Sequence, residues 1–337
     1  MADDVLILLD PHPRTEAMIY TAETRTALAR HGRVVAHFGS RAPDALVESI
    51  LPHVNVIIGQ TAMPESRLAR APKLKAIINV KGNWEPNIDY PAAARRRIQV
   101  LSAAPAMAPA VAEYCLAQAL CLARQFDEGN RLFRDGRESW GIAGNRNAET
   151  LFDADVGFVG FGNLGRTLAP LLGPFGCRMR AYDPWVADTA LRRAGVEPAP
   201  LDDLLANSQF LFLLAGVTTE NSGFIDRRRL GLVRPDAVVV LASRAKVIDF
   251  EAFLEMAAEG RFRAAVDVFP DEPVPAGSPI RSVPNVRFTA HLAGGVEASY
   301  LRMQSMVIAD VGRILDGLPP LCLQRADPER AGLMRSR

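Results

Sequence analysis

The chain has 337 residues, 49% of them hydrophobic and 23% charged, which excludes a disordered, collagen-like or disulfide-scaffold protein and leaves apolar material for about two domains. Lysine and arginine number 39 against 38 acids, a formal charge of +1, so no overall basic excess draws the chain to nucleic acid or to an anionic membrane. The acidic start at 1–4, apolar runs no longer than a strand, and four scattered cysteines without CxxC spacing (Cys115, Cys121, Cys177, Cys322) point to a reducing compartment, the cytoplasm.

Short β-branched runs alternate with helix-length segments. Strands are expected at 5–9, 34–38, 54–58, 76–80 and 98–101. An Ala- and Pro-rich stretch at 103–110 then leads into a helix at 109–126, with Val111, Cys115, Leu116, Ala119, Leu120 and Leu122 on a wide apolar face. Further strands are expected at 156–159, 178–182, 210–214, 237–241, 264–268 and 286–289, and a last long helix at 296–315. This repetition predicts parallel sheets with crossover helices, and eleven strands fit two α/β domains better than one small sheet. The runs Arg95–Arg97 and Arg227–Arg229 read as solvated faces.

Residues 155–165 read DVGFVGFGNLG. Gly160, Gly162 and Gly165 form a GxGxxG between an apolar strand and a helix, the context in which the pattern cradles a pyrophosphate. Asp183 follows 18 residues after Gly165, at the end of the next strand, where a carboxylate bonds ribose hydroxyls and repels a 2′-phosphate. The expected cofactor is NAD. Arg178 and Arg180 on that strand are a small sign in favour of NADP.

Three later strands end in loops carrying Arg244, Asp267, Glu272 and His291. Carboxyl ends of strands are where ligands bind in open α/β sheets. A guanidinium fork matches a carboxylate, a histidine can give or take a proton near neutrality, and a carboxylate beside it orients the ring. The set suits hydride transfer between a nicotinamide and a 2-hydroxy or 2-oxo acid. His12, His31, His37 and His53 read as structural, and no histidine spacing suggests a metal.

With VGFVGFGNLG, AYDP, TTENSGFI, SRAKVID, DVFPDEP and TAHLAGG in this order, the chain resembles the D-isomer-specific 2-hydroxyacid dehydrogenase family over roughly residues 5–325. The family includes phosphoglycerate, glycerate, glyoxylate and formate dehydrogenases. The resemblance implies two Rossmann-like or flavodoxin-like, doubly wound parallel-sheet domains with a cleft that closes on substrate. It implies a substrate domain of residues 1–103 plus 292–337, an NAD-binding domain of 104–291, and a homodimer through the cofactor domains. Arg244 would bind the substrate carboxylate, His291 would be the acid/base and Glu272 its partner. Asn163 and Leu164 would lie against the pyrophosphate, Ala242, Ser243 and Gly294 would line the cofactor, and Asp267 would contact the carboxamide side of the nicotinamide.

Some positions depart from the family pattern. Leu241 stands where Asn is usual, Ala245 where Gly is, and Ala290 where Pro is. The family's GxGxDNID-like loop, whose amides bind the substrate carboxylate, is here KGNWEPNID at 81–89. Lys81, Gly82, Asn83 and Trp84 are the expected substrate contacts, and Trp84 either packs outward or reshapes the pocket for an unusual substrate such as a sugar acid. The alternatives are a phosphite- or formate-type dehydrogenase and a non-catalytic NAD(H)-responsive binding protein.

Overall fold

The computed structural model describes residues 4–334. The chain divides into two compact units. One holds the chain through Ala108, the short piece Thr218–Glu220 and the chain from Gly295 onward; the other holds Pro109–Val217 and Asn221–Gly294.

The first unit is built on strands β1 (Leu6–Asp10), β2 (Arg33–Ala36), β3 (Val54–Gly59), β4 (Ala76–Asn79) and β5 (Gln99–Ser102), with a two-residue β13 (Gln324–Arg325) antiparallel on the edge. Their order is β13-β5-β4-β3-β1-β2, which contains the flavodoxin-like 2-1-3-4-5 arrangement. Every residue of β1, β3 and β4 is buried, as expected of strands covered on both faces. Alternation sorts the side chains: Leu6 and Leu8 enter one apolar cluster, Ile7 and Leu9 the other. Helix Glu297–Leu315 seals the second face with Met303, Val307, Val311 and Ile314.

The second unit carries β6 (Asp155–Val159), β7 (Arg178–Tyr182), β8 (Glu197–Pro198), β9 (Phe210–Leu213), β10 (Val238–Leu241), β11 (Arg263–Val266) and β12 (Val286–Phe288). All pair in parallel, in the order β12-β11-β10-β9-β6-β7-β8. Counted from β6 this is the 3-2-1-4-5-6 dinucleotide-binding order with one strand added, and the order reverses between β6 and β9. Both faces are covered here too: Val238 and Val240 belong to one cluster, Val239 and Leu241 to the other.

One expectation needs correction. The helical run Ala104–Ala123 is 20 residues long and apolar enough to cross a membrane by length and composition, which reading uninterrupted apolar runs overlooked. Half of it is buried in the protein, and Val111, Ala112, Cys115 and Ala119 belong to the core of the second unit.

Trp84 is also a core residue. It is 7% exposed, belongs to the same cluster as Leu8, Ile57 and Ile77, and stands edge-to-face on Tyr90 with ring centroids 6.2 Å apart. The outward expectation does not describe it, because the loop folds its largest apolar side chain inward. Replacing Trp84 by Ala is expected to lower unfolding free energy by about 3–5 kcal/mol, read from denaturant titration.

Candidate active site

The glycine loop joins β6 to helix Asn163–Leu172. Gly160 has φ +90°, and a Cβ there would lie 2.6 Å from the backbone of Ala215. Only glycine permits that approach. A Cβ on Gly165 would meet the Phe161 ring at 2.8 Å, so this glycine lets the helix sit close on the loop. A Cβ on Gly162, the helix N-cap, would meet nothing within 4 Å. The loop backbone at Gly162 is thus open to a ligand, and the amino end of the helix that follows suits a pyrophosphate.

Asp183 follows β7. Its Oδ2 accepts from Phe161 N at 2.7 Å and its Oδ1 from Trp185 N at 2.8 Å, so the acid also fixes the glycine loop. A carboxylate has about four acceptor sites, so two bonds leave capacity for ribose hydroxyls. Ala242 and Ser243 follow β10, both buried, and the Ser243 hydroxyl lies 3.0 Å from Leu213 O and 2.8 Å from Ala215 O. Gly294 is half-buried at the end of the unit. The fold therefore gathers the expected cofactor set at the carboxyl edge of one sheet, and these residues fit NAD.

His291 and Glu272, expected to pair, are in contact. His291 Nδ1 and Glu272 Oε2 are 2.8 Å apart, and Glu272 Oε1 accepts from Phe269 N at 2.9 Å. The pair is part-exposed, with side-chain accessibilities of 48% and 35%. His291 has φ +54°, a conformation that costs a non-glycine residue about 1–3 kcal/mol unless its surroundings impose it.

Asp267 imposes it. This residue was expected at the nicotinamide carboxamide, but its side chain is fully buried and already engaged. Oδ1 accepts from the Thr289 hydroxyl at 2.5 Å and Leu292 N at 2.8 Å, Oδ2 accepts from Ala293 N at 3.0 Å, and the backbone carbonyl accepts from His291 N at 2.9 Å. The acid holds the histidine loop on both sides of the histidine.

Two residues of this network escaped the sequence reading. Thr289 spends its single proton on Asp267, so Tyr114, 2.6 Å away, donates to it. Burial pushes the Tyr114 hydroxyl up to about 12, which keeps it a donor. Thr289 lies within the quoted TAHLAGG, two positions before the histidine, and that proximity was the available signal. Nothing local links Tyr114, 175 residues earlier, to it.

Arg244 is half-buried, and burial lowers its pKa while the charge of Glu272 opposes the shift. Among the described residues its guanidinium makes one hydrogen bond, from Nη1 to Ser243 O at 2.7 Å. Its other N–H groups are free for a ligand.

Lys81, Gly82, Asn83 and Trp84 belong to the first unit. Lys81 Nζ donates to Glu85 Oε1 at 2.5 Å, and Arg41 reaches the other oxygen of this buried acid at 3.5 Å. Gly82 faces open space, whereas Asn83 is buried and its carbonyl accepts from Asn79 Nδ2 at 2.9 Å. The loop's cation is thus neutralised locally, and its tryptophan is in the core.

Strand order and glycine cradle together define a dinucleotide-binding domain, with a histidine–carboxylate pair on loops at its carboxyl edge. A family model described as "D-isomer specific 2-hydroxyacid dehydrogenase, NAD binding domain" matches residues 116–293, and the chain belongs to this family. D-3-phosphoglycerate dehydrogenase of Mycobacterium leprae (strain TN) is 32% identical over 258 residues, 76% of this chain and 48% of that protein. The chain spans about half the length of the first such curated relatives. Glyoxylate reductase of Korarchaeum cryptofilum (strain OPF8) is 30% identical over 255 residues, 74% of this chain and 76% of that one. A crystal structure of a phosphoglycerate oxidoreductase from Rhizobium etli has a TM-score of 0.84 at 36% identity, covering 96% of this chain and 98% of its own.

Thr289→Val removes one donor from the buried Asp267 carboxylate. It is expected to lower stability by about 1.5–3 kcal/mol in chemical denaturation, with Thr289→Ser close to the parent.

Proposed function

We propose that the protein is an NAD-dependent oxidoreductase that interconverts a D-2-hydroxy acid and its 2-oxo acid. The His291–Glu272 contact of 2.8 Å carries this reading, because a histidine held by a carboxylate beside an NAD-binding sheet is suited to proton transfer. When bound, NAD supplies the hydride acceptor and NADH the donor. Every other part is done by the chain. Arg244 takes the substrate carboxylate with the N–H groups it does not use internally. Glu272 occupies Nδ1 of His291, so Nε2 is the atom that exchanges the proton. In reduction Nε2 gives its proton to the carbonyl oxygen; in oxidation it removes the hydroxyl proton. Asp267, Thr289 and Tyr114 act through the histidine as positioning residues. The relatives named above also act on 2-hydroxy or 2-oxo acids by their names, which supports the same substrate class.

The test follows NADH absorbance over a panel of 2-oxo, D-2-hydroxy and sugar acids. His291→Ala is expected to lower kcat about 10²–10⁴-fold on the best substrate. Arg244→Lys, which keeps the charge but loses the fork, is expected to raise KM about tenfold or more, one charge-assisted bond being worth ~1.5–3 kcal/mol. Unchanged kcat in His291→Ala would remove the proposed acid/base.

We further propose a homodimer through the second unit. Helix Phe126–Arg134 has no buried residue, and an isolated nine-residue helix is marginal in water. The same segment exposes Phe133, Trp140 (77%) and Ile142 (85%), an apolar surface that a second copy would cover. Ile142→Asp is expected to shift the mass in light scattering from dimer to monomer; a parent protein that is already monomeric sinks the proposal.

A further inference from the structure

Arg178 does not stand near the site of a 2′-phosphate. Arg178 opens β7 while Asp183 follows its end, roughly 16 Å away along an extended strand. Asp155 and Arg178 at the amino ends of β6 and β7, Glu197 of β8, and Ala206, Asn207 and Arg234 from the connections border a groove of about 770 Å³, on the edge of the sheet opposite the glycine cradle. A volume of this order is typical of small-molecule sites.

The charges in the groove are unevenly spent. Asp155 takes Arg178 through two bonds of 2.9 Å each, and Glu197 takes Arg192 at 3.2 Å. Arg180 and Arg234 also line the groove, and among the described residues neither guanidinium makes a hydrogen bond or a salt bridge, although Glu197 stands opposite Arg180 across the strands. Asp155 feels all three lining arginines: the hydrogen bond from Arg178 chiefly, with the charges of Arg180 and Arg234, holds its carboxyl below the usual range. With each acid already neutralised, two guanidinium forks are left over in one concavity, beside the apolar Met179 and Ala206. Guanidinium forks match the oxygens of phosphoryl groups, and a site with two of them favours a ligand carrying more than one negative charge.

We propose that this groove is a second anion site, separate from the dinucleotide cradle, which holds a phosphorylated small molecule of the diphosphate type between Arg180 and Arg234. Cys177 lines the same groove, half-exposed, with its Sγ donating to Leu151 O at 3.3 Å, and so provides a built-in reporter.

Inorganic pyrophosphate is the probe. The rate of N-ethylmaleimide labelling at Cys177, resolved by peptide mass spectrometry, is expected to fall several-fold in millimolar pyrophosphate and to recover at high salt, while the exposed Cys322 labels at an unchanged rate. Protection should disappear in R180Q/R234Q, with NADH binding retained as the check on folding. If that protein does not fold, Arg234→Gln alone serves, since the exposed Arg234 side chain has no partner to lose; its protection should need clearly more pyrophosphate. Unaltered Cys177 labelling in the parent protein overturns the proposal. So does protection that survives the arginine substitutions, the result if pyrophosphate acts at the glycine cradle.

Discussion

The carboxylate of Asp267 is fully buried, and a buried charge persists only where hydrogen bonds replace its water. Here the replacements are Thr289, Leu292 and Ala293, all on the loop that carries His291. The dependence runs both ways. Without the loop the acid would be an uncompensated charge; without the acid the loop would have no reason to keep His291 at a positive φ. The same device recurs. Asp183 gathers Phe161 and Trp185, and the fully buried Asp310 gathers Leu321, Cys322 and Leu323 at 2.7–2.9 Å. Loops that look irregular in the sequence are held by acids accepting backbone N–H groups.

Parallel pairing then explains why these loops share one edge. Strands β6 to β12 all run the same way, so every strand-to-helix connection of the sheet leaves from its carboxyl side. The glycine cradle leaves β6 where the strand order reverses, the point at which neighbouring connections part to opposite faces and open a crevice. Ser243, Asp267 and His291 follow β10, β11 and β12 in turn. Their spacing in the sequence is wide, but the sheet brings them together.

Much of this was legible beforehand. All eleven expected strands are present within a residue or two, because buried parallel strands are continuous β-branched runs bounded by turn residues. The edge strands Glu197–Pro198 and Gln324–Arg325 were not foreseen, since two residues carry no periodicity. The order of motifs carried the family and the pairing of His291 with Glu272. What escaped were contacts made only by folding. Tyr114 reaches Thr289 across 175 residues, and no local pattern marks that link. Trp84 was read as a site residue because it replaces a glycine in a functional loop; its burial against Tyr90 depends on where the loop folds. Asp267 was read as a ligand contact because of its motif, whereas its exposure, not its identity, shows where the carboxylate is spent.

Charge illustrates the same distinction between a total and its distribution. A net +1 says nothing about which cations are left uncompensated once the chain has folded. Lys81 looked available in the sequence but lies on Glu85, and Arg178 lies on Asp155. Arg244, singled out by its place after a strand, makes a single side-chain bond among the described residues, to its own neighbour's carbonyl. Arg180 and Arg234 are the corresponding pair at the other edge of the sheet. A partly buried guanidinium that makes no ion pair, such as that of Arg180 or Arg244, gives up part of its hydration and receives no salt bridge in return. An anion supplied from outside is the partner that such a position lacks. By that criterion the proposed carboxylate partner of Arg244 and the proposed second anion beside Arg180 and Arg234 answer the same physical need at opposite edges of one sheet.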